Sequence, residues 1–354
     1  MTREELYAKV RVWDFQHTAP SVADARYATI LNQLEYHAAR QCRVYLPAEH
    51  SDFNSSYMER LATWIGNVSD DDDQKLLLEY ALHISFFSHE DFIALYSTAL
   101  NREVALWVAA QVGARLEGTS GQAWSDLVKT HVRQHTWFCP VTDSMDINEF
   151  HKVCHLSGVA RRPCFSLVQA QSEHPTSPNL QIASDWINYM SNPSSNPINY
   201  PAPRLERLVL MEDIVGSGTQ CVEAVKWAVV KLGVPVLFVP LLLCPNGVQA
   251  LRDVEKNSGG RLTVRPVIEL SRSELLGPER QGHKGWPITP ELEELATRCK
   301  NRASPSPMDT FGYKNTGCSL TTFSNTPDNT LPIVHSKTSK DGGWEPLFPR
   351  VFRD

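Results

Sequence analysis

The chain holds eight cysteines in 354 residues but no CxxC pair, and no Cys/His pattern has zinc-finger spacing. Thiols scattered in this way read as reduced, which predicts a cytoplasmic protein without a disulfide framework. No run of 18 apolar residues occurs, so neither a membrane span nor a secretory signal is expected. Charge of one sign is scarce as well: a net charge of -6 and a pI near 6.1 provide no basic stripe for direct nucleic-acid binding. There is no repeat period, and the absence of a Gly-Lys-Ser/Thr triplet excludes a P-loop.

The charge that is present lies unevenly. Residues 1–130 carry 11 Lys/Arg against 18 Asp/Glu, and the remainder carries 23 against 22. This shift supports a boundary near residue 130, separating a helical N-terminal domain (1–130) from an α/β domain (131–354). Within the first part, Tyr27, Ile30, Leu31, Leu34 and Ala38 recur at helical spacing, as do Tyr57, Leu61 and Trp64. Further helical patterns cover Asp91–Leu100, Glu103–Leu116 and Gly121–Val132. The run Asp70-Asp71-Asp72-Asp73 suits a capped helix entrance, with a divalent-metal site as the alternative.

From Thr136 the pattern turns to strands. Thr136–Val141 leads into the polar loop Thr142-Asp143-Ser144-Met145-Asp146 and a helix carrying Ile147, Phe150 and Val153. Leu208–Met211 reads as a buried strand, Pro235–Leu242 as a central parallel strand, and Arg261–Ile268 as the next. Helical patterns at Cys221–Leu232 and Asn246–Ser258 alternate with them, which predicts βαβ units and a parallel sheet with flanking helices. Between His174 and Arg204 the chain is rich in Pro, Ser and Asn, interrupted by a helical piece at Ile182–Met190. Arg161-Arg162 upstream suits either a phosphate or open solvent. Ile288–Asn301 reads as a helix and Ser319–Phe323 as a strand, followed by an Asn- and Pro-rich tail.

The chemistry concentrates after Met211. Glu212 and Asp213 are adjacent carboxylates at the expected end of a strand, followed by the turn Gly216-Ser217-Gly218-Thr219 and, from Gln220, a helix. Such a turn presents backbone amides and the positive end of a helix dipole, which suits a phosphate. The carboxylates before it suit sugar hydroxyls, directly or through Mg²⁺. A dinucleotide fingerprint would need a third glycine where Cys221 stands.

Glu212-Asp213-Ile214-Val215-Gly216-Ser217-Gly218-Thr219 resembles the phosphoribosyl-pyrophosphate (PRPP) motif of type I phosphoribosyltransferases. That resemblance implies a phosphoribosyltransferase-like fold, PRPP as donor and Mg²⁺ as cofactor. Glu212 and Asp213 would be catalytic and metal-binding, and Gly216, Ser217, Gly218, Thr219 and Gln220 would hold phosphate. Asp143 and Ser144 stand where the family's pyrophosphate loop would be, which makes Asp143 a third catalytic candidate and Ser144 a further phosphate-binding one; a carboxylate at Asp143 suits a metal or a helix cap better than an anion. Together with the tail, where Trp344 and Phe348 would clamp the terminus and Asn325, Asp328 and Asn329 fix a loop or reach the site, the layout over residues 60–350 resembles a bacterial group of phosphoribosyltransferase-like effectors in anti-phage systems. Members of that group are linked to retron-type reverse transcriptase modules. This implies a toxic effector whose partner belongs to a defence system, such as a reverse transcriptase–DNA complex. The chain departs from hypoxanthine-type enzymes at Gly216, where they carry an acid/base aspartate, and at Gln220, where they carry threonine. Those departures keep a second reading open, a non-catalytic module that senses nucleotides or docks a partner.

Overall fold

The computed structural model describes residues 1–17, 25–40, 45, 56–113, 120–156, 164–173, 205–304, 308–338 and 343–351. Arg161-Arg162 and the segment from His174 to Arg204, including Ile182–Met190, lie outside the described residues. In chain order the helices α1 (Arg3–His17), α2 (Arg26–Arg40), α3 (Tyr57–Ile65) and α4 (Asp71–Ala81) precede strand β1 (Ser85–Phe87). Helix α5 (His89–Thr98) runs through a π-helical turn, Ala99–Val104, into α6 (Ala105–Gln111), and α7 (Gly121–His135) follows. The next elements are β2 (Thr136–Pro140), α8 (Ile147–Val153), α9 (Phe165–Glu173), β3 (Arg207–Val215), α10 (Thr219–Lys231), β4 (Val236–Leu243) and α11 (Pro245–Asn257). Strands β5 (Leu262–Val264) and β6 (Ile268–Glu269), helix α12 (Thr289–Ala303), strand β7 (Leu320–Thr322) and the short helix α13 (Pro332–His335) complete the order.

These elements form two compact units, one of residues 1–91 with 271–354 and the other of residues 92–270. The division falls at 91 and 270, whereas the charge shift suggested one boundary near residue 130. Surface charge reports on solvation rather than on packing partners, so it carries no information about where a core begins.

The first unit is helical, with a two-stranded parallel ribbon in which β1 pairs with β7, Ser85 opposite Leu320. Its core gathers Trp13, Trp64, Tyr80, Trp344 and Phe348, so the tail aromatics are buried as expected. The indoles of Trp64 and Trp344 both donate to the carbonyl of Ile333, at 2.6 and 2.7 Å. At the entrance of α4, Asp70 accepts from the amides of Asp72 and Asp73, while Asp71 pairs with Lys9 and Asp73 with Arg298. The four-aspartate run is therefore a helix start with ion pairs, and among the described residues no group of three or more His, Cys, Asp or Glu side chains is arranged for a metal.

The second unit is a parallel sheet in the order β2-β3-β4-β5, with β6 also on β4. Every residue of β4 is buried, as a central strand covered on both faces requires. One face presents Trp137, Leu208, Leu210 and Phe238 to Phe165, Val168, Val225 and Leu251 on α9, α10 and α11. The alternate residues Phe138, Val209, Met211, Leu237 and Val239 are buried on the other face, where Phe138 packs on Phe150. The strand expected at Arg261–Ile268 is split into β5 and β6. Arg265 and Val267 still donate to the carbonyls of Phe238 and Pro240, at 2.9 and 3.0 Å, but Pro240 has no N–H to donate in return, so the ladder is interrupted between Phe238↔Val264 and Leu242↔Ile268. Among the described residues no helix is long and apolar enough to cross a membrane, and Cys139, Cys154, Cys164, Cys221, Cys244, Cys299 and Cys318 are unbridged thiols.

Candidate functional site

Strand β3 continues to Val215, four residues beyond the apolar run that marks it in the sequence. Glu212 and Asp213 therefore lie within the strand, held by its pairing with β4 (Glu212↔Pro240, Ile214↔Leu242). Their environments differ. Glu212 is 2% exposed, whereas Asp213 is half-buried. The loop leaving β2 runs alongside. Thr142 donates its amide to Glu212 Oε2 at 2.8 Å and its hydroxyl to Oε1 at 2.7 Å. Ser144 Oγ lies 2.8 Å from Glu212 Oε1 and 2.9 Å from Asp213 Oδ1, and the two loop hydroxyls are 2.8 Å apart. Asp213 Oδ1 also accepts from the amide of Ile214 at 2.7 Å.

This cluster contains four short hydroxyl–carboxylate or hydroxyl–hydroxyl contacts but only two hydroxyl hydrogens to fill them. A proton retained on Glu212 supplies a third. The electrostatics point the same way: burial, then the charge of Asp213 and the hydrogen bond with it, push the Glu212 carboxyl well above the usual carboxylate range. Burial, followed by the same two carboxylates, pushes the neighbouring Cys221 thiol well up, so it is an inert neutral group.

Beyond Val215 the chain turns through Gly216, Ser217 and Gly218 into α10. Gly218 has φ 78°, the left-handed region, and a Cβ there would lie 3.3 Å from that of Ala250. It offers no side chain to cap α10, which begins with no side-chain cap. Ser217 Oγ is 3.0 Å from Thr219 Oγ1, while Thr219 and Gln220 are exposed. Helix α11 starts beside this turn, also without a side-chain cap, and approaches it so closely that a Cβ on Gly247 would lie 3.0 Å from the carbonyl oxygen of Gly216. A half-buried carboxylate, a hydroxyl pair and a small-residue turn at an uncapped helix thus share the carboxyl-terminal edge of one parallel sheet, where open α/β folds bind ligands.

The sequence-derived residues sort as follows. Glu212, Asp213 and Ser144 come together in one hydrogen-bonded group, and Gly216 to Gln220 form the turn and first helical residues. Asp143 is exposed and does not cap α8; that role belongs to Asp146, which accepts from the amide of Glu149 at 2.9 Å. Asn325 and Asn329 are engaged within the first unit, Asn325 bonding Val351 and Asn329 donating to Thr316 Oγ1, and Asp328 is 3.7 Å from Arg350 there. Sequence reasoning missed Thr142, which contributes two of the bonds to Glu212, and Gly247, which admits α11 to the turn. Thr142 was legible as a neighbour of Asp143 and Ser144; Gly247 carried no local signal, because its constraint comes from a residue 31 positions away.

The family model described as PRTase-CE matches residues 61–350 of the chain. No curated protein matches, and no solved structure matches.

Proposed function

The chain belongs to the PRTase-CE family, a phosphoribosyltransferase-like family, and on that premise we propose that the β3–α10 site binds PRPP and transfers or hydrolyses its ribose 5-phosphate group. The observation that carries this reading is the half-buried Asp213 standing one short turn before the uncapped start of α10. The carboxylate edge of β3, through the half-buried Asp213, faces the ribose hydroxyls, and the 5-phosphate rests on the amides of residues 216–220. In the reaction the acceptor forms a bond to the anomeric carbon as the bond to pyrophosphate oxygen breaks. Pyrophosphate leaves with the electron pair, and the acceptor's proton passes to solvent or to the leaving group. The protein's own contribution is to orient the two reactants and to place fixed dipoles against the phosphates.

Mg²⁺ is consistent with this donor set, because it is held by one or two carboxylates plus substrate phosphates rather than by a full protein cage, and Asp213 is the partly exposed carboxylate here. When bound, it would neutralise charge on the leaving pyrophosphate. The resemblance to conflict-system proteins extends the reading to a toxic effector of an anti-phage system, restrained by a protein partner such as a reverse transcriptase–DNA complex. The competing reading, a non-catalytic nucleotide-sensing or docking module, draws on Gly216 and Gln220, which supply no acid/base group for a nucleobase.

Titration calorimetry of the full chain with PRPP, ribose 5-phosphate and nucleoside monophosphates, with and without Mg²⁺, tests the proposal. Binding of PRPP with a heat signal that strengthens with Mg²⁺ is expected. Absence of binding by all of these ligands would refute it.

A further inference from the structure

The two carboxylates of β3 are adjacent in sequence but not equivalent in the fold. Both oxygens of Glu212 are already taken, Oε2 by the Thr142 amide and Oε1 by two hydroxyls, and the residue is almost fully enclosed. A carboxylate has room for about four hydrogen bonds, and the amide and two hydroxyls of the loop that follows β2 occupy three of those places. Asp213 Oδ1 is engaged by Ser144 and by the amide of its own neighbour, and its side chain adjoins Glu212, yet it remains half-buried rather than enclosed.

We infer that Glu212 is a positioning residue that locks the Thr142–Ser144 loop onto β3, and that Asp213 alone of the pair reaches the ligand. The locking role stands on the hydrogen bonds themselves; the ligand role of Asp213 rests on the phosphoribosyl reading above. Ser144 links the two, since its single hydroxyl hydrogen can serve Glu212 or Asp213 but not both at once. Lying within hydrogen-bond distance of both carboxylates, it ties the loop that Glu212 holds to the side chain that faces the ligand. The adjacent acids thus divide the work: one sets the loop and, through Ser144, the rotamer of the other.

Isosteric replacement separates the two roles. Glutamine preserves the shape of Glu212 and still accepts the Thr142 amide, whereas alanine abandons that donor; asparagine at Asp213 removes the charge offered to the ligand. In the full chain, Glu212→Ala is expected to accelerate exchange in the peptide containing the Thr142 amide, and to weaken PRPP binding, by about tenfold or more, the equivalent of one lost hydrogen bond to a buried group. Glu212→Gln should recover most of both. Asp213→Asn should leave exchange at Thr142 unchanged and weaken PRPP binding by about tenfold or more. If Glu212→Ala does not fold, the comparison of Gln with Asn still decides. Equal loss of PRPP affinity in Glu212→Gln and Asp213→Asn would overturn the division of roles, as would a Thr142 amide that stays protected in a folded Glu212→Ala. A wild type that binds neither PRPP nor ribose 5-phosphate would remove the phosphoribosyl reading and with it the ligand role of Asp213. The exchange data would then judge the locking role alone.

Discussion

Gly247 offers a way to move the phosphate turn without touching it. It lies in the first turn of α11, where alanine would ordinarily favour the helix by about 1 kcal/mol. The packing opposes that gain. A Cβ at this position would sit 2.8 Å from Leu243 Cδ1, 2.8 Å from Val215 Cγ1 and 3.0 Å from the carbonyl oxygen of Gly216. The two side chains can rotate, but the carbonyl belongs to the backbone of the turn and yields only if the turn or the helix shifts. Overpacking of this kind costs about 1–3 kcal/mol, so Gly247→Ala should be net destabilising by about 1 kcal/mol. The corresponding fall in melting temperature is about 2–4 °C for a unit of this size. A turn displaced by a few tenths of an ångström holds its phosphate less well, and the loss of about one hydrogen bond, ~1 kcal/mol, should weaken PRPP binding by about fivefold. Circular dichroism melts and calorimetry measure the two effects. Gly121→Ala serves as control, since a Cβ there meets nothing within 4 Å. A Gly247→Ala protein that melts and binds like wild type would show that α11 does not set the turn.

Two further perturbations follow from the same geometry. Glu212 has its folded-state pKa raised, so its contribution to stability is complete below the ordinary glutamate value and is lost as pH rises towards the folded value. Ligand-free wild type should therefore lose stability above about pH 4.5, whereas Glu212→Gln should lack that slope, melting higher than wild type at pH 8 and level with it near pH 4; parallel melting curves would refute a buried proton at this site. In the tail, the Asn325 amide donates to the carbonyl of Val351 at 2.9 Å and accepts from the amides of Val351 and Thr326 at 3.0 and 2.9 Å. Asn325→Ala should cost about 1–3 kcal/mol and speed exchange at Val351 without changing PRPP affinity, and an affinity loss with an unaltered tail would reverse that assignment.

What was legible in the sequence was local. The apolar run Leu208–Met211 and the eight-residue apolar stretch around Phe238 announced buried parallel strands, and the acids followed by small residues announced the turn before α10. The partners of those elements were not legible. Thr142 and Ser144 reach Glu212 across 70 and 68 positions, and β1 finds β7 across more than two hundred, distances at which neither periodicity nor spacing carries a signal. The end of β3 was set too early because two carboxylates look like a surface edge. In the fold their burial is compensated by donors from another loop, a context that overrides the residue type. The helix α9 was missed for a similar reason: Phe165 and Val168 pack into the core of the sheet unit, but the short amphipathic pattern around them is weak.

The position of Glu212 bears on whether the site is more than scaffold. A carboxyl placed among fully buried Leu208, Val209, Leu210 and Met211 is a local conflict, since the strand calls for apolar residues and the acid requires donors. Buried polar groups of this kind are rarely required for stability; replacing the whole constellation by apolar residues of similar shape is often neutral or stabilising. Yet here the chain brings one amide and two hydroxyls within hydrogen-bond distance of the acid to hold it where it is. The Asp213 charge beside it raises the cost further, and Ser144 spans both. Stability alone does not account for two acids side by side, a loop bent to reach them and a glycine cut back to admit a second helix. A ligand that uses Asp213 and the adjoining turn does, because each of these features then fixes the position of a group that faces it.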